Sequence, residues 1–138
     1  MLVVLDTNVI VSGLLKDTGY PSRIIDLVVG NQLQLAYDDR ILGEYEEVLS
    51  RTEFHISPSK ANAVITYIEL AGRYFEIGKA FPSEGFADQK DMPFVEVFIA
   101  SQAQALVTGN LLHFSPLIEM GLFVMTPAQF IEKYFPHP

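Results

Sequence analysis

The segment VVLDTNVIVSG, Val3 to Gly13, contains a hydrophobic run that ends at a carboxylate. Its first three residues continue the apolar start Met1-Leu2 without polar alternation, which is typical of a strand covered on both faces of a parallel sheet. Asp6 ends this strand, Thr7 and Asn8 follow, and apolar residues then resume. The segment therefore predicts a buried strand that delivers a carboxylate and two further polar groups to one edge of a sheet.

Helix and strand signals alternate along the rest of the chain. Amphipathic periodicity and the residues that begin and end helices predict helices over residues 21–30, 38–51, 57–71, 93–104 and 127–135. Strands are predicted over residues 1–6, 33–37, 73–78, 105–110 (ending in a turn) and 122–125, with a Pro- and Gly-containing loop over 79–92. This alternation indicates an α/β fold, a three-layer α/β/α sandwich with a mainly parallel central sheet.

Length and composition limit the class of protein. The 138 residues can bury a substantial core, and residues 1–138 are predicted to form a single domain. The chain has no cysteine, which excludes disulfides, thiolate metal ligands and cysteine nucleophiles. We expect a cytoplasmic protein without a membrane span, because no apolar window is long enough and no basic signal region begins the chain.

The charge balance bears on any interaction with nucleic acid. The formal net charge is −8, from 17 acidic and 9 basic residues, and the basic residues are scattered singly. A protein that holds nucleic acid by charge alone would show a basic patch. Chemistry on a phosphate group would therefore need positive charge from another source, and a divalent cation is the obvious one.

Several polar residues follow or precede the predicted strands. In open parallel sheets the functional crevice lies beyond the carboxyl ends of the strands. Asp6 ends the first strand, Asn110 follows the strand that begins at residue 105, and Asp88 and Asp91 precede the helix that leads into that strand. The topology therefore brings these residues toward one edge of the sheet.

Two glutamates on the helix over 38–51 are further candidates. Glu44 lies on one border of the apolar face and Glu46 on the opposite border, so periodicity alone does not choose between them. Every candidate acid also has an ordinary interpretation: Asp6 as a turn or helix-cap residue, Asp91 as an N-cap, Glu44 as a solvated helix residue and Asp88 as a loop acid.

Other catalytic motifs are missing from the sequence. The three histidines are too far apart in sequence to indicate a metal motif, and we interpret them as structural: His55, His113 and His137. The sequence has no phosphate-binding loop with its lysine, no Gly-rich dinucleotide fingerprint and no nucleophile elbow.

Three blocks of the sequence resemble successive blocks of the PIN-domain family. They are VVLDTNVIVSGLL (3–15), ILGEYEEVLSRTEF (41–54) and DQKDMPFVEVFIASQAQALVTGNLLHF (88–114), in the family's order and spacing. The resemblance extends from Leu2 to about Phe130. The most similar branch is a group of bacterial and archaeal proteins described as toxins of toxin–antitoxin pairs, the VapC-like ribonucleases.

The resemblance implies a metal-dependent ribonuclease whose acidic residues hold Mg²⁺ or Mn²⁺. Asp6 matches the family's first acid and Glu44 matches the second, which favours Glu44 over Glu46. Asp91 lies where the family has its third acid, and Asp88 is the alternative third ligand.

Four further positions match the family's site. Thr7, Asn8 and Thr108 match residues that usually support the acids through hydrogen bonds. Asn110 stands where the family usually has an aspartate, and an amide oxygen can coordinate Mg²⁺ but brings no negative charge. The resemblance therefore implies a metal site that has one charge fewer than usual.

The expected activity is hydrolysis of phosphodiester bonds in single-stranded RNA, as the toxin of a toxin–antitoxin pair, attenuated by Asn110. The expected partners are RNA, an antitoxin protein and a second copy of the chain. One alternative is a non-catalytic PIN module that binds RNA or a partner protein. Another is a Mg²⁺-dependent phosphatase with an aspartyl nucleophile, but this would need an acid two residues after Asp6, where Asn8 stands.

Overall fold

The computed structural model describes residues 1–137. Its strands are β1 (Leu2–Leu5), β2 (Gln34–Tyr37), β3 (Arg73–Tyr74), β4 (Ala105–Val107) and β5 (Val124–Met125). They pair in parallel in the order β3-β2-β1-β4-β5. Within residues 1–137, the α-helices that flank the sheet are α1 (Thr7–Leu15), α2 (Tyr20–Val29), α3 (Asp39–Leu49), α4 (Pro58–Ala71), α5 (Met92–Ser101), α6 (Ser115–Glu119) and α7 (Pro127–Tyr134). The predicted three-layer α/β/α sandwich with a parallel sheet is confirmed.

The centre of the sheet is the point at which the strand order changes direction. The chain runs from β1 through β2 to β3 on one side, and then returns to place β4 and β5 on the other side of β1. Val4 of β1 is in register with Leu106 of β4, and both are completely buried. A crevice at such a switch point lies beyond the carboxyl ends of the two central strands. Asp6 follows β1 and Thr108 follows β4 at this edge.

Helix α1 begins directly after β1, although the hydrophobic pattern does not predict it. Thr7, Val9, Ile10 and Val11 are β-branched and have only modest helix propensity, so the run looks more like a strand. Asp6 provides the helix start, since its side chain accepts a hydrogen bond from the N–H of Thr7. Val9 and Ile10 are buried in the core. Packing and capping therefore override local propensity here.

Helices α1 and α2 pack with their backbones unusually close together. A Cβ atom at Gly13 would lie 2.5 Å from Cγ1 of Ile25 and 2.7 Å from the carbonyl oxygen of Pro21. Only glycine fits such a contact without a shift of one helix. The close approach fixes where α2 begins relative to α1.

Other elements differ from the predictions in length. The strand predicted over 73–78 is only β3, because its partner β2 ends at Tyr37, which is in register with Tyr74. The helix predicted over 93–104 is α5, which starts at Met92 and ends before Gln102, a residue in the left-handed conformation with φ 53°. A 3₁₀ helix over Leu111–Phe114 and α6 were not predicted.

The core is one cluster of buried apolar side chains contributed by the strands and by helices of both outer layers. That residues 1–138 form a single domain stays a prediction. The longest helix in residues 1–137 is α4, with 14 residues. None of the helices described combines the length and the apolar character that crossing a membrane requires.

Candidate active site

Asp6 is the best-anchored side chain at the carboxyl edge of the sheet. It is 7% exposed. One carboxylate oxygen, Oδ1, accepts the N–H of Thr7 at 2.9 Å, and the other, Oδ2, accepts Oγ1 of Thr108 at 2.8 Å and Nδ2 of Asn8 at 3.2 Å. Burial raises the pKa of Asp6, and the hydrogen bonds from Thr108, Thr7 and Asn8 offset part of that rise.

The same polar side chains tie the turn after β4 to Asp6. Thr108, which is fully buried, accepts a hydrogen bond from the backbone N–H of Asn110 at 3.0 Å. Asn8 accepts one through Oδ1 from the N–H of Gly109 at 3.1 Å. The ends of β1 and β4 therefore share one hydrogen-bond network centred on the carboxylate of Asp6.

Glu44 reaches this network from α3. Oγ1 of Thr7 donates a hydrogen bond to Oε2 of Glu44. Burial raises the pKa of the half-buried Glu44 carboxyl, the Thr7 hydrogen bond opposes the rise, and the charge of Asp6 adds to it. Glu46, by contrast, is exposed and lines a pocket between α3 and α4 together with Leu49 and Ala61. Of these two glutamates, the structure brings Glu44 to Asp6.

Asp91 approaches from the start of α5. It is 9% exposed and ends a 3₁₀ helix, Gln89–Asp91. Although it occupies the N-cap position of α5, its carboxylate makes no capping hydrogen bond; its Oδ2 lies 2.9 Å from Nδ1 of His113 instead. Burial raises the pKa of Asp91 to about 6, and the charge of Asp6 contributes to that rise.

Neither Asp88 nor Asn110 contacts the carboxylate of Asp6 through its side chain in the part of the chain that the structure describes. Oδ1 of Asp88 accepts the N–H of Lys90 at 2.9 Å and so caps the 3₁₀ helix Gln89–Asp91. Asp88 remains close enough for its charge to raise the pKa of Asp91. Asn110 is exposed, at the start of the 3₁₀ helix that contains His113.

His113 is the residue that the sequence reasoning missed. Its interpretation as structural rested on its separation from the other histidines, but its contact is with a carboxylate 22 residues away in sequence. His113 lies three residues after Asn110, and this position is the sequence signal that could have indicated a contact with the acids at the same edge of the sheet.

The residues at this edge fit a hard divalent cation by their chemistry. Asp6, Glu44 and Asp91 present carboxylate oxygens, the ligands that Mg²⁺ and Mn²⁺ prefer. Within residues 1–137, however, no three His, Cys, Asp or Glu side chains are arranged as a group that could hold one ion. Carboxylates repel one another, and each of these three already accepts from or contacts a protein group. That they converge on a shared ion stays a prediction.

The raised pKa of Asp91 predicts how stability depends on pH. A carboxyl whose pKa is higher in the folded chain stabilises the fold when protonated, so this contribution is lost as pH rises from the ordinary value of 3.8 to about 6. In EDTA, the melting temperature of Asp91→Asn should therefore rise relative to wild type across that window and stay higher at pH 7. Thermal melts at half-unit pH steps test this, with exposed Asp26→Asn as the control. Parallel curves for wild type and Asp91→Asn would contradict it.

The fold and this edge together define an α/β protein with three carboxylates near the switch point of a parallel sheet, and we call Asp6, Glu44 and Asp91 the carboxylate cluster. The family model described as PIN domain matches residues 2–112. The chain belongs to the PIN-domain family. No curated protein sequence matches it.

Two solved structures are similar in fold. VapBC2 from Rickettsia felis, bound to a DNA fragment from their promoter, has a TM-score of 0.61 and 18% identity, covering 91% of this chain and 98% of that chain. A domain of a functionally unknown protein from Methanocaldococcus jannaschii DSM 2661 has a TM-score of 0.53 and 14% identity, covering 89% and 88%. At these identities the likeness concerns the fold alone.

Proposed function

We propose that this chain is a metal-dependent endoribonuclease that hydrolyses phosphodiester bonds of single-stranded RNA. The observation that carries the proposal is that Thr7 joins two acids at the carboxyl edge of the sheet: its N–H donates to Asp6 and its hydroxyl donates to Glu44. Asp91 supports the proposal from a third element, because the charge of Asp6 contributes to the raised pKa of Asp91. Membership of the PIN-domain family supports the same activity.

Each proposed catalytic residue has a distinct structural support. Asp6, Glu44 and Asp91 would hold Mg²⁺ or Mn²⁺, with Asp88 and Asn110 as peripheral ligands. A bound cation would activate the attacking water and neutralise charge on the phosphate oxygens. The protein would position these ligands through hydrogen bonds. Thr108 and Asn8 donate to the carboxylate of Asp6. Thr7 donates to Glu44, and His113 contacts Asp91.

The charge of the chain supports a cation cofactor. A net charge of −8 opposes the approach of RNA unless positive charge is added. Lys90 is the basic residue whose charge lowers the pKa of Glu44. A single lysine does not balance three carboxylates, which is why we propose an ion at this edge.

The wider biological role is part of the same proposal. The resemblance to VapC-like ribonucleases and the similar fold of VapBC2 support a toxin that pairs with an antitoxin protein in the cytoplasm. We further propose that two copies of the chain pair, so that two shallow clefts form one groove for RNA.

A non-catalytic PIN module that binds RNA or a partner protein is the second candidate. Asn110, a neutral side chain at the edge of the site, favours it, as does the lack of a ready-made three-ligand group in residues 1–137. This candidate predicts RNA binding without metal-dependent cleavage. Cleavage assays therefore separate the two.

The pair Glu44→Gln and Glu46→Gln tests the proposed function. Both substitutions remove one negative charge from α3, but only Glu44 contacts the network around Asp6. We expect Glu44→Gln to lower the rate of Mn²⁺-dependent cleavage of a labelled single-stranded RNA at least tenfold, roughly 1.4 kcal/mol, and to reduce the rise in melting temperature that Mn²⁺ causes. Glu46→Gln should match wild type in both measurements. Equal effects of the two substitutions, or no cleavage by wild type in Mn²⁺, would contradict the proposal.

A further inference from the structure

A pocket of about 460 Å³ opens beside the carboxylate cluster. We call it the side pocket; its walls include Asn8 and Gly109 from the site, Tyr20 and Pro21 from the start of α2, and Pro127 from the start of α7. Its volume falls in the range of roughly 300–1,000 Å³ that is typical of small-molecule sites, which suffices for a nucleoside. The pocket therefore adjoins the proposed catalytic edge and shares residues with it.

We propose that the side pocket binds an unpaired nucleobase next to the phosphate that is cleaved. This inference rests on the proposed function, since it places one part of the RNA relative to Asp6. It goes beyond that function by assigning a base subsite to residues outside the carboxylate cluster.

Asn8 joins the side pocket to the catalytic edge. Its Nδ2 donates to Oδ2 of Asp6 at 3.2 Å, and its Oδ1 accepts the N–H of Gly109 at 3.1 Å. One amide side chain is therefore both a support of the first carboxylate and a wall of the side pocket. A ligand that fills the pocket must lie next to whatever Asp6 acts on, and in RNA the group next to the scissile phosphate is a nucleoside.

Tyr20 gives the pocket an aromatic surface on which a base can stack. It is 41% exposed, and its hydroxyl donates a hydrogen bond to Oε1 of Glu132 at 3.1 Å, which restrains the ring. The close packing of α1 and α2 at Gly13 fixes the backbone of the neighbouring Pro21. Stacking on such a ring tolerates every base, because each base has a π-face. It needs unpaired bases, which agrees with a single-stranded substrate.

Tyr74 provides a matched control for Tyr20. It is 48% exposed, and its hydroxyl likewise donates to a carboxylate, Oδ2 of Asp39, at 3.0 Å. It lies on β3, an edge strand separated from β4 by β2 and β1. The two tyrosines therefore match in chemistry and exposure but differ in their distance from the side pocket.

The experiment uses a short single-stranded RNA that carries 2-aminopurine, a base whose fluorescence is quenched on stacking. The full chain is titrated into it in Ca²⁺, and a gel checks that the strand stays intact. We expect quenching with wild type and Tyr74→Ala, an approximately tenfold higher Kd with Tyr20→Ala, or about 1.4 kcal/mol, and near-wild-type quenching with Tyr20→Phe. Circular dichroism melts establish that each variant is folded.

The outcomes separate the inference from the proposed function. If Tyr20→Ala binds and quenches as wild type does while Mn²⁺-dependent cleavage persists, the base subsite is wrong and the nuclease stands. If the tyrosine variants behave as expected but no RNA is cleaved in Mn²⁺, the base subsite holds and the chain binds RNA without cutting it. If no variant binds RNA and a protein partner protects Tyr20 instead, the side pocket is a protein contact and the inference is overturned.

Discussion

We expect Asp6→Asn to lower the rate of single-stranded RNA cleavage in Mn²⁺ at least a hundredfold, roughly 2.7 kcal/mol in activation free energy. The carboxylate of Asp6 is held by three donors and is coupled to Glu44 and Asp91. An amide at residue 6 carries no charge, so the ion would lose the ligand around which the whole network is built. The amide could still cap α1 by accepting the N–H of Thr7. The variant should therefore remain folded.

Asp38→Asn is the matched control for this prediction. Asp38 is also a buried aspartate, 5% exposed, that follows a strand and caps the next helix by accepting the N–H of Ile41 at 3.0 Å. It pairs with Arg40 and lies outside the carboxylate cluster proposed as the metal site. Its substitution should destabilise the fold by weakening that ion pair, without the hundredfold loss of cleavage among the molecules that stay folded.

Two measurements check the prediction. Cleavage of a labelled RNA is followed at a temperature well below the melting point of all three proteins, and calorimetry follows Mn²⁺ binding. Asp6→Asn should show the hundredfold loss of RNA cleavage and weaker Mn²⁺ binding, while Asp38→Asn should cleave RNA and bind Mn²⁺ as wild type does. Cleavage by Asp6→Asn within about threefold of wild type would show that the site is built around other residues.

The parts of the fold that could be predicted from the sequence are those that depend on local signals. The unbroken apolar run before Asp6 predicts a buried strand, and β1 lies at the centre of the sheet. Thr126 and Pro127 predict the start of the last helix, and Thr126 does form a capping box with Gln129. In each case the residues that decide the structure are neighbours in the chain.

Local signals fail where distant contacts decide the structure. The β-branched residues of α1 favour a strand, and only packing in the core and the Asp6 cap make them helical. Helix α6 has only five residues, too few to show helical periodicity, and its Pro116 lies in the first turn, where no N–H is needed. Both elements are short and depend on tertiary contacts.

The candidate site shows the same division between local and distant information. Periodicity does not distinguish Glu44 from Glu46; the structure distinguishes them through a hydrogen bond from Thr7, 37 residues away in sequence. The contact between Asp91 and His113 likewise depends on two 3₁₀ helices that meet only in the folded chain. The sequence could therefore indicate which residue types gather at the edge, but not which of them touch.

The second prediction concerns the charge that the site lacks at Asn110. Asn110→Asp should tighten Mn²⁺ binding by about thirtyfold, roughly 2 kcal/mol. A unit charge at about 4 Å is worth roughly 1 kcal/mol in water and roughly 4 kcal/mol at an effective dielectric of 20. Residue 110 is exposed, but its N–H bonds to Thr108, which in turn holds Asp6. We therefore expect a gain in Mn²⁺ binding free energy between these two limits.

The added charge should have opposite effects with and without metal. In EDTA, Asn110→Asp adds a negative charge near carboxyls whose pKa values are already raised, so its melting temperature should fall below that of wild type. In Mn²⁺ the tighter binding should reverse that order, because an ion that binds only the folded state stabilises it. Cleavage of single-stranded RNA should increase together with the affinity.

Asn62→Asp provides the control, because it adds the same charge at an exposed position on α4, away from the carboxylate cluster. It should leave Mn²⁺ affinity and cleavage at wild-type values, so that a change specific to Asn110→Asp cannot come from net charge alone. If calorimetry gives the same affinity for wild type and both variants, Asn110 is only a turn residue and the metal lies elsewhere. If Asn110→Asp binds Mn²⁺ more tightly and still leaves RNA intact, the carboxylate edge is a cation site of a binding module, and the nuclease proposal fails for this chain.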